Sequence, residues 1–524
     1  WSGPASHTLL QDYVVYLGTS DLSQRSHLGV ATTTRLTMPA ETKQGAFDAL
    51  LVYTRSSLAE QTSPASLKVE DNEILLNISF YDLDLDQADL GGVVNWTGGD
   101  DQLVLDYAVY LAEPCSGEDN DTSDVLNVSD ATSDFCDLRY IDTVTSNESR
   151  VEIPAETAKF NSSHIIIFAR SALVSQRTPS AHLIFDASAS VSQLTFHDLD
   201  LDVGQLGGQI TWKPPAESAS RVNSYHIYLA PTPDALQRSV MGAQPVGQEA
   251  LVVAPETDLF DFSYVVTFSR SSLAEQTTPV ALLVSDTQAT VENVTFIDLD
   301  LDFTDLGGDL RWSEPFDSVQ VQRYNVYLAE LGLDLQNSSR SLLGNVTVGE
   351  AFLTIFPETS RLENSVVYDH FFIYTESSLV EQTTPRSHLI EDAEATVSDV
   401  NLLDLDLDLE ELGGDVSWTP PVDASRVQLY RAFLALDSVG LQRSQIGEDI
   451  AAPQSETNLS AEQPLANFTH LVVYTASQLV EQTTPNASAI SDTVRVVSKI
   501  HFDDYDLDLL EVGGDVQWSI PVPS

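Results

Sequence analysis

The stretch Phe80-Tyr-Asp-Leu-Asp-Leu-Asp-Gln-Ala-Asp-Leu-Gly-Gly-Val-Val-Asn-Trp96 decides the fold, because the chain repeats it. It returns at Phe196–Trp212, Phe296–Trp312, Leu402–Trp418 and Phe502–Trp518. Each copy has an Asp-x-Asp-x-Asp run, a Gly-Gly pair and a tryptophan four residues past the second glycine. Trp1 stands where a further copy would end. All six tryptophans occupy this one position, so the chain is a tandem array. Their spacing, 95 to 116 residues, suits one compact sandwich per repeat. It is too long for solenoid repeats of roughly 20–50 residues.

The remaining segments recur in fixed order. In the third copy Trp212-Lys-Pro-Pro215 leads to Ser224-Tyr-His-Ile-Tyr-Leu-Ala230, then Pro255-Glu-Thr257, then Tyr264-Val-Val-Thr-Phe-Ser269. The loop Ser271-Ser-Leu-Ala-Glu-Gln-Thr-Thr-Pro279 follows. Its counterparts end at Pro64, Pro179, Pro385 and Pro485, and the one at Ser171–Pro179 drifts most. A two-residue period with turn punctuation predicts an all-β chain. The order Trp-x-Pro-Pro, Tyr-x-x-Tyr, Pro-Glu-Thr and apolar strand resembles the fibronectin type III domain. That resemblance implies a tandem array of Ig/fibronectin III-like β-sandwich domains. The acidic run is not a mark of that family.

The expected divisions are 1–72, a repeat lacking its first strand; 73–189, with a Cys-bracketed insertion; 190–289; 290–395; 396–495; and 496–524, a partial repeat. The chain opens in mid-motif, which suggests a processed form or an excerpt of a longer precursor.

The formal charge of −55, with only five lysines among 524 residues, argues against nucleic-acid and acidic-membrane partners. No apolar run approaches the length that spans a bilayer. Cys115 and Cys136 bracket an Asp- and Ser-rich insertion, and a disulfide closing it is expected in an oxidising compartment. Asn-x-Ser/Thr occurs at Asn77, Asn95, Asn120, Asn127, Asn147, Asn161, Asn293, Asn337, Asn345, Asn458, Asn467 and Asn486. So many sequons predict an extracellular N-glycosylated protein, secreted or at the cell surface.

In an extended segment alternate side chains face opposite ways. The leucines of the acidic run should then enter the sandwich and the aspartates face outward, about 6.5–7 Å apart. A hard cation would relieve their repulsion, and calcium takes six to eight oxygens. The candidate ligands are Asp82, Asp84 and Asp86; Asp198, Asp200 and Asp202; Asp298, Asp300 and Asp302; Asp404, Asp406 and Asp408; and Asp504, Asp506 and Asp508. Asp71, Asp186, Asp286, Asp392 and Asp492, just ahead of each motif, could add oxygens. The pattern is not an EF-hand loop, since Phe303 stands where that loop needs glycine. The alternative is a solvated strand edge whose charges block aggregation.

The tryptophans read as core. The Glu-Gln-Thr-Thr-Pro loop reads as a contact patch between neighbouring domains or subunits, the alternative being a turn that joins the last two strands. No catalytic motif repeats in register, so no enzymatic activity is expected. The functional expectation is a structural subunit of an extracellular filament or matrix. Copies would join head to tail, with residues 496–524 completing another copy's first repeat by strand complementation. The alternative is a calcium-stiffened cell-surface adhesin or receptor ectodomain.

Overall fold

The computed structural model describes residues 9–71, 74–99, 102–115, 135–330 and 339–521. These form two compact units, and the division runs through the third repeat.

The fourth repeat, wholly in the second unit, shows the architecture. Its seven main strands are β1 (Glu292–Thr295), β2 (Asp305–Ser313), β3 (Arg323–Ala329), β4 (Arg340–Thr347), β5 (Phe352–Ser360), β6 (His370–Glu376) and β7 (Arg386–Leu389). They make a three-stranded sheet in the order β1-β2-β5 and a four-stranded sheet in the order β4-β3-β6-β7, all antiparallel. This is the strand order of a fibronectin type III-like sandwich, as the sequence resemblance implied. Alternation places Leu306, Leu310 and Trp312 of β2 against Tyr324, Val326 and Leu328 of β3 in one buried cluster. Trp312 meets Tyr324 edge to face, with centroids 5.5 Å apart. Such a pair contributes about 0.5–1.5 kcal/mol beyond its burial.

The fifth repeat, also in the second unit, repeats the plan with a fourth edge strand broken into short pieces, Ser444–Gln445 and Ile450–Ala451. Ser498–Phe502 and Val516–Ser519 then pair as a two-stranded sheet. Trp518 there is 57% exposed, whereas Trp96, Trp212, Trp312 and Trp418 are buried. The core reading of the tryptophan thus fits four of the five described positions.

In the first unit the second repeat has both sheets of the sandwich. The first repeat shows one four-stranded sheet among its described residues, in the order Arg25–Ala31, Asp12–Gly18, Ala49–Arg55, Ala65–Lys68. Cys115 and Cys136 are disulfide-bonded, with Cα atoms 5.0 Å apart. The insertion they bracket lies outside the described residues, apart from Phe135. Among the described residues no helix is long and apolar enough to cross a membrane.

Candidate functional site

The acidic run does not face solvent. Asp298, Asp300 and Asp302 are almost wholly buried, as are their counterparts at Asp82, Asp84, Asp86, Asp198, Asp200 and Asp202. Asp404 and Asp406 are also buried, while Asp408 and the set Asp504, Asp506 and Asp508 are not. This overturns both the outward-facing expectation and the solvated-edge alternative for the buried sets. The run bends between β1 and β2 instead of continuing as a flat strand, and backbone N–H groups converge on each carboxylate.

Each aspartate has its own task. Asp298 accepts from the N–H groups of Asp300 (3.2 Å) and Gly307 (2.9 Å), closing the bend, and from Ala393 (2.9 Å) in the segment leading to the fifth repeat. Asp300 accepts from Asp302 (3.0 Å) and from Glu358 (2.8 Å) of Pro357-Glu358-Thr359 on β5. Asp302 reaches the next repeat. Its carboxylate accepts from the N–H of Thr483 (2.6 Å) and Thr484 (2.9 Å) and from both threonine hydroxyls. Asp202 holds Thr383 and Thr384 in the same way, and Asp86 holds Thr277 and Thr278. Burying a carboxylate is unfavourable unless such donors surround it, and charge-assisted bonds of this kind are the strong ones.

The receiving loop also holds the bend itself. Gln482 donates to the Leu301 carbonyl (3.4 Å), and Ser477 Oγ donates to the Leu299 carbonyl (2.6 Å). Gln382 and Ser377, and Gln276 and Ser271, repeat both contacts. Leu301 is a second correction. It enters the core of the following repeat, beside Trp418, Tyr430 and Leu434, and Leu201 likewise enters the core around Trp312.

The two glycines have different reasons. Gly308 has φ 143°, and a Cβ there would lie 2.6 Å from the Ile297 carbonyl oxygen. A Cβ on Gly307 would lie 3.0 Å from the Leu479 side chain of the next repeat's loop. The equivalent distances are 2.8 Å for Gly207 to Leu379 and 2.7 Å for Gly91 to Leu273. One glycine lets the chain turn; the other admits the neighbour.

An arginine missed in the sequence steadies the receiving loop. Arg340 lies over the rings of Tyr327 (4.4 Å) and Tyr374 (4.6 Å) and pairs with Glu381 (3.1 Å), which also accepts from the Tyr327 hydroxyl (3.0 Å). Arg25 with Glu60, Arg238 with Glu275 and Arg443 with Glu481 form the same clip. In the fifth repeat Phe433 replaces the tyrosine, and Arg431 supplies the lost donor to Glu481 at 3.0 Å. The second repeat has Ser175 in place of the glutamate and no such clip among its described residues. The recurring Arg-Ser after the strand that carries Tyr-Leu, or Phe-Leu in the fifth repeat, was the available signal.

The additional aspartates cap the bend rather than joining the acidic triads directly. Asp186, Asp286, Asp392 and Asp492 accept from the N–H of Ala88, Gly204, Thr304 and Glu410. Asp71 is exposed. Carboxylate oxygens do gather with residues the sequence reading passed over: Asp84, Asp86 and Glu156; Asp200, Asp202 and Glu256; Asp300, Asp302 and Glu358; Asp406, Asp408 and Glu411; Asp506, Asp508 and Glu511. In each group they lie within 4.8 Å of one another, so these clusters could hold a metal ion.

Burial raises Asp82, Asp198 and Asp298 to about 6, partly opposed by the amides they accept from. Glu156, Glu256 and Glu358 rise too, from desolvation and then the adjacent aspartates. A carboxyl whose value is raised on folding favours the native state most when protonated. That contribution is complete below the unfolded value near 4 and is lost as pH climbs through about 6. Calorimetry should therefore find a higher melting temperature at pH 5 than at pH 7.5, with net proton uptake on folding between them. A flat or reversed profile would contradict these shifts.

Of the sequon asparagines, Asn77, Asn95, Asn147, Asn161, Asn293, Asn345, Asn458 and Asn467 are exposed and Asn486 is half-buried. Asn120, Asn127 and Asn337 lie outside the described residues.

The class defined by strand order is thus a tandem of fibronectin III/Ig-like sandwiches with acidic bends that grip the following repeat. Among solved structures the chain is similar to a two fibronectin type III domain segment of chicken tenascin. Identity there is 16%, over 38% of this chain and 98% of that one, with a TM-score of 0.17. It is also similar to the FN1–FN3 domains of chicken CNTN1, at 14% identity over 58% of this chain and 98% of that one, TM-score 0.19. No protein-family model and no curated protein matches.

Proposed function

We propose that this protein is a structural or adhesion-type array of the extracellular space, in which each acidic bend fastens one sandwich to the next. The supporting observation is that Asp86, Asp202 and Asp302 each take two amides and two hydroxyls from the next repeat's Thr-Thr pair. Loose linkers leave sandwiches free to reorient; bonds of this kind at successive junctions fix their order and angle. Exposed sequons and the disulfide support an oxidising, glycosylating route. The finer reading is a filament or matrix whose subunits join head to tail, with residues 496–524 supplying front strands to another copy. Negative-stain images test it: regular fibres support the filament, and dispersed particles of single-chain length refute it.

A divalent cation, calcium by its oxygen-rich surroundings, is the second reading. One contact favours it. Arg177 occupies the loop position of Thr277, Thr383 and Thr483, and its guanidinium pairs at 3.2 Å with Glu41, the glutamate of Pro39-Ala-Glu41-Thr42. Where threonine stands instead, no arginine or lysine among the described residues pairs with Glu156, Glu256 or Glu358, and a bound ion would answer their charge. Calorimetric titration with calcium after chelation should release heat and raise the melting temperature. No heat and an unchanged melt would remove the ion from the account.

A further inference from the structure

The joint between the second and third repeats carries an arginine plug. Arg221, at the end of the short 3₁₀ turn Ala219–Arg221, belongs to the third repeat. Its guanidinium carbon lies 4.3 Å from the ring centre of Tyr81 and 4.7 Å from that of Phe185. Both rings come from the second repeat. Tyr81 opens the acidic bend, and Phe185 stands just ahead of the capping Asp186. Guanidinium suits such a place, being planar, weakly hydrated and always charged.

One joint further along, all three positions change. His197 stands where Tyr81 does, Ser285 where Phe185 does, and Gln320 where Arg221 does. The residues that follow fix this register: Asp82 and Asp198, Asp186 and Asp286, Val222 and Val321. The place of the plug is here a pocket of about 210 Å³. Its walls include His197, Ser285 and Gln320 themselves, together with Asp198, Thr287 and Asp317. At the joint between the fourth and fifth repeats arginine returns, as Arg426 ahead of Val427. Glutamine is thus the exception among the three joints.

The walls are held in place. Asp198 accepts from the Thr287 N–H at 2.9 Å, and its carbonyl accepts from the Thr287 hydroxyl at 3.3 Å. Asp317 accepts from the Val319 N–H at 3.2 Å, which sets the turn between β2 and β3. Asp317 is exposed, and among the described residues no arginine or lysine lines the pocket. The groups on offer are a surface carboxylate, two hydroxyls, an amide carbonyl and an imidazole face. They accept from a planar set of N–H donors and give it a ring to stack on. Drug-sized ligands usually need roughly 300–1,000 Å³, so this volume suits a single side chain.

We propose that this pocket binds a guanidinium group, the side chain of an arginine presented by another molecule, in the place Arg221 fills one joint earlier. Asp317 supplies the counter-charge, His197 the stacking face, and Ser285 and Gln320 further acceptors. The net charge of −55 draws a basic ligand toward the chain. The site is separate from the fastening of Asp202 to Thr383 and Thr384, none of which lines it.

The probe is Nα-acetyl-arginine methylamide, titrated into the 524-residue chain while the histidine C–H signals are followed by NMR. His197→Gln identifies the signal to watch. That signal should shift saturably with the arginine probe, and the matching lysine probe should bind about tenfold more weakly. Asp317→Asn should weaken the arginine probe about tenfold, the share of one charge-assisted bond. Gln320→Arg should abolish the shift, because the chain's own guanidinium then fills the pocket. Arginine already stands at this position in the other two joints, so that variant should fold. An unmoved His197 signal would overturn the proposal, and so would undiminished binding in either Asp317→Asn or Gln320→Arg. Equal binding of the two probes would mark attraction to net charge alone and overturn it too. A methyl glycoside that moves the His197 signal where the arginine probe does not would make this a sugar site instead.

Discussion

Replacing Asp302 by alanine is expected to open the joint between the fourth and fifth repeats while both sandwiches stay folded. Its carboxylate takes four hydrogen bonds from Thr483 and Thr484 and is itself almost wholly buried. The loss leaves these donors without their acceptor, at roughly 3–5 kcal/mol. The Asp302 carboxylate accepts from the next repeat, whereas those of Asp298 and Asp300 accept from amides of their own sandwich, so the damage should be confined to the junction. Amide exchange at Thr483 and Thr484 should quicken by orders of magnitude, and protease should cut near 390–396. Asp309→Ala is the control. That side chain pairs with Arg311 at the surface, where such contacts contribute about 0–1 kcal/mol. Equal protection of Thr483 and Thr484 in both variants would contradict the role given to Asp302.

Leu301→Ala should act across the same boundary in a different way. Leu301 belongs to the fourth repeat by sequence, yet it is fully buried in the core of the fifth. Truncating a buried leucine typically removes about 2–5 kcal/mol, depending on how far the cavity collapses. The loss should appear in the unfolding transition of the fifth repeat, reported by Trp418 fluorescence, and much less in that of Trp312. Single-tryptophan versions of the protein separate the two signals. A shift confined to Trp312 would show that the leucine serves its own sandwich.

Much of the fold was open to reading beforehand. The β2 pattern ending at Trp312 and the alternation of Tyr324, Val326 and Leu328 each follow from local rules of period and backbone shape. The recurrence of Glu-Gln-Thr-Thr-Pro pointed to a contact, and three loops make one. The acidic run was misread because strand alternation was applied to a segment that bends. Once it bends, side chains at successive odd positions no longer share a face. The Arg340 clip went unseen because its partners, Tyr327, Tyr374 and Glu381, are scattered over 55 residues.

The sequence by itself settled that the chain is an all-β array of near-equal repeats, each carrying an acidic run and a Gly-Gly pair, since a tandem duplication writes its period directly into the residues. What those carboxylates face was decided only in three dimensions. A buried aspartate is tolerable where amides converge on it, and here they come from β2, β5, the segment between repeats and the following sandwich. No local pattern records that convergence, because it exists only once the repeats are folded and joined.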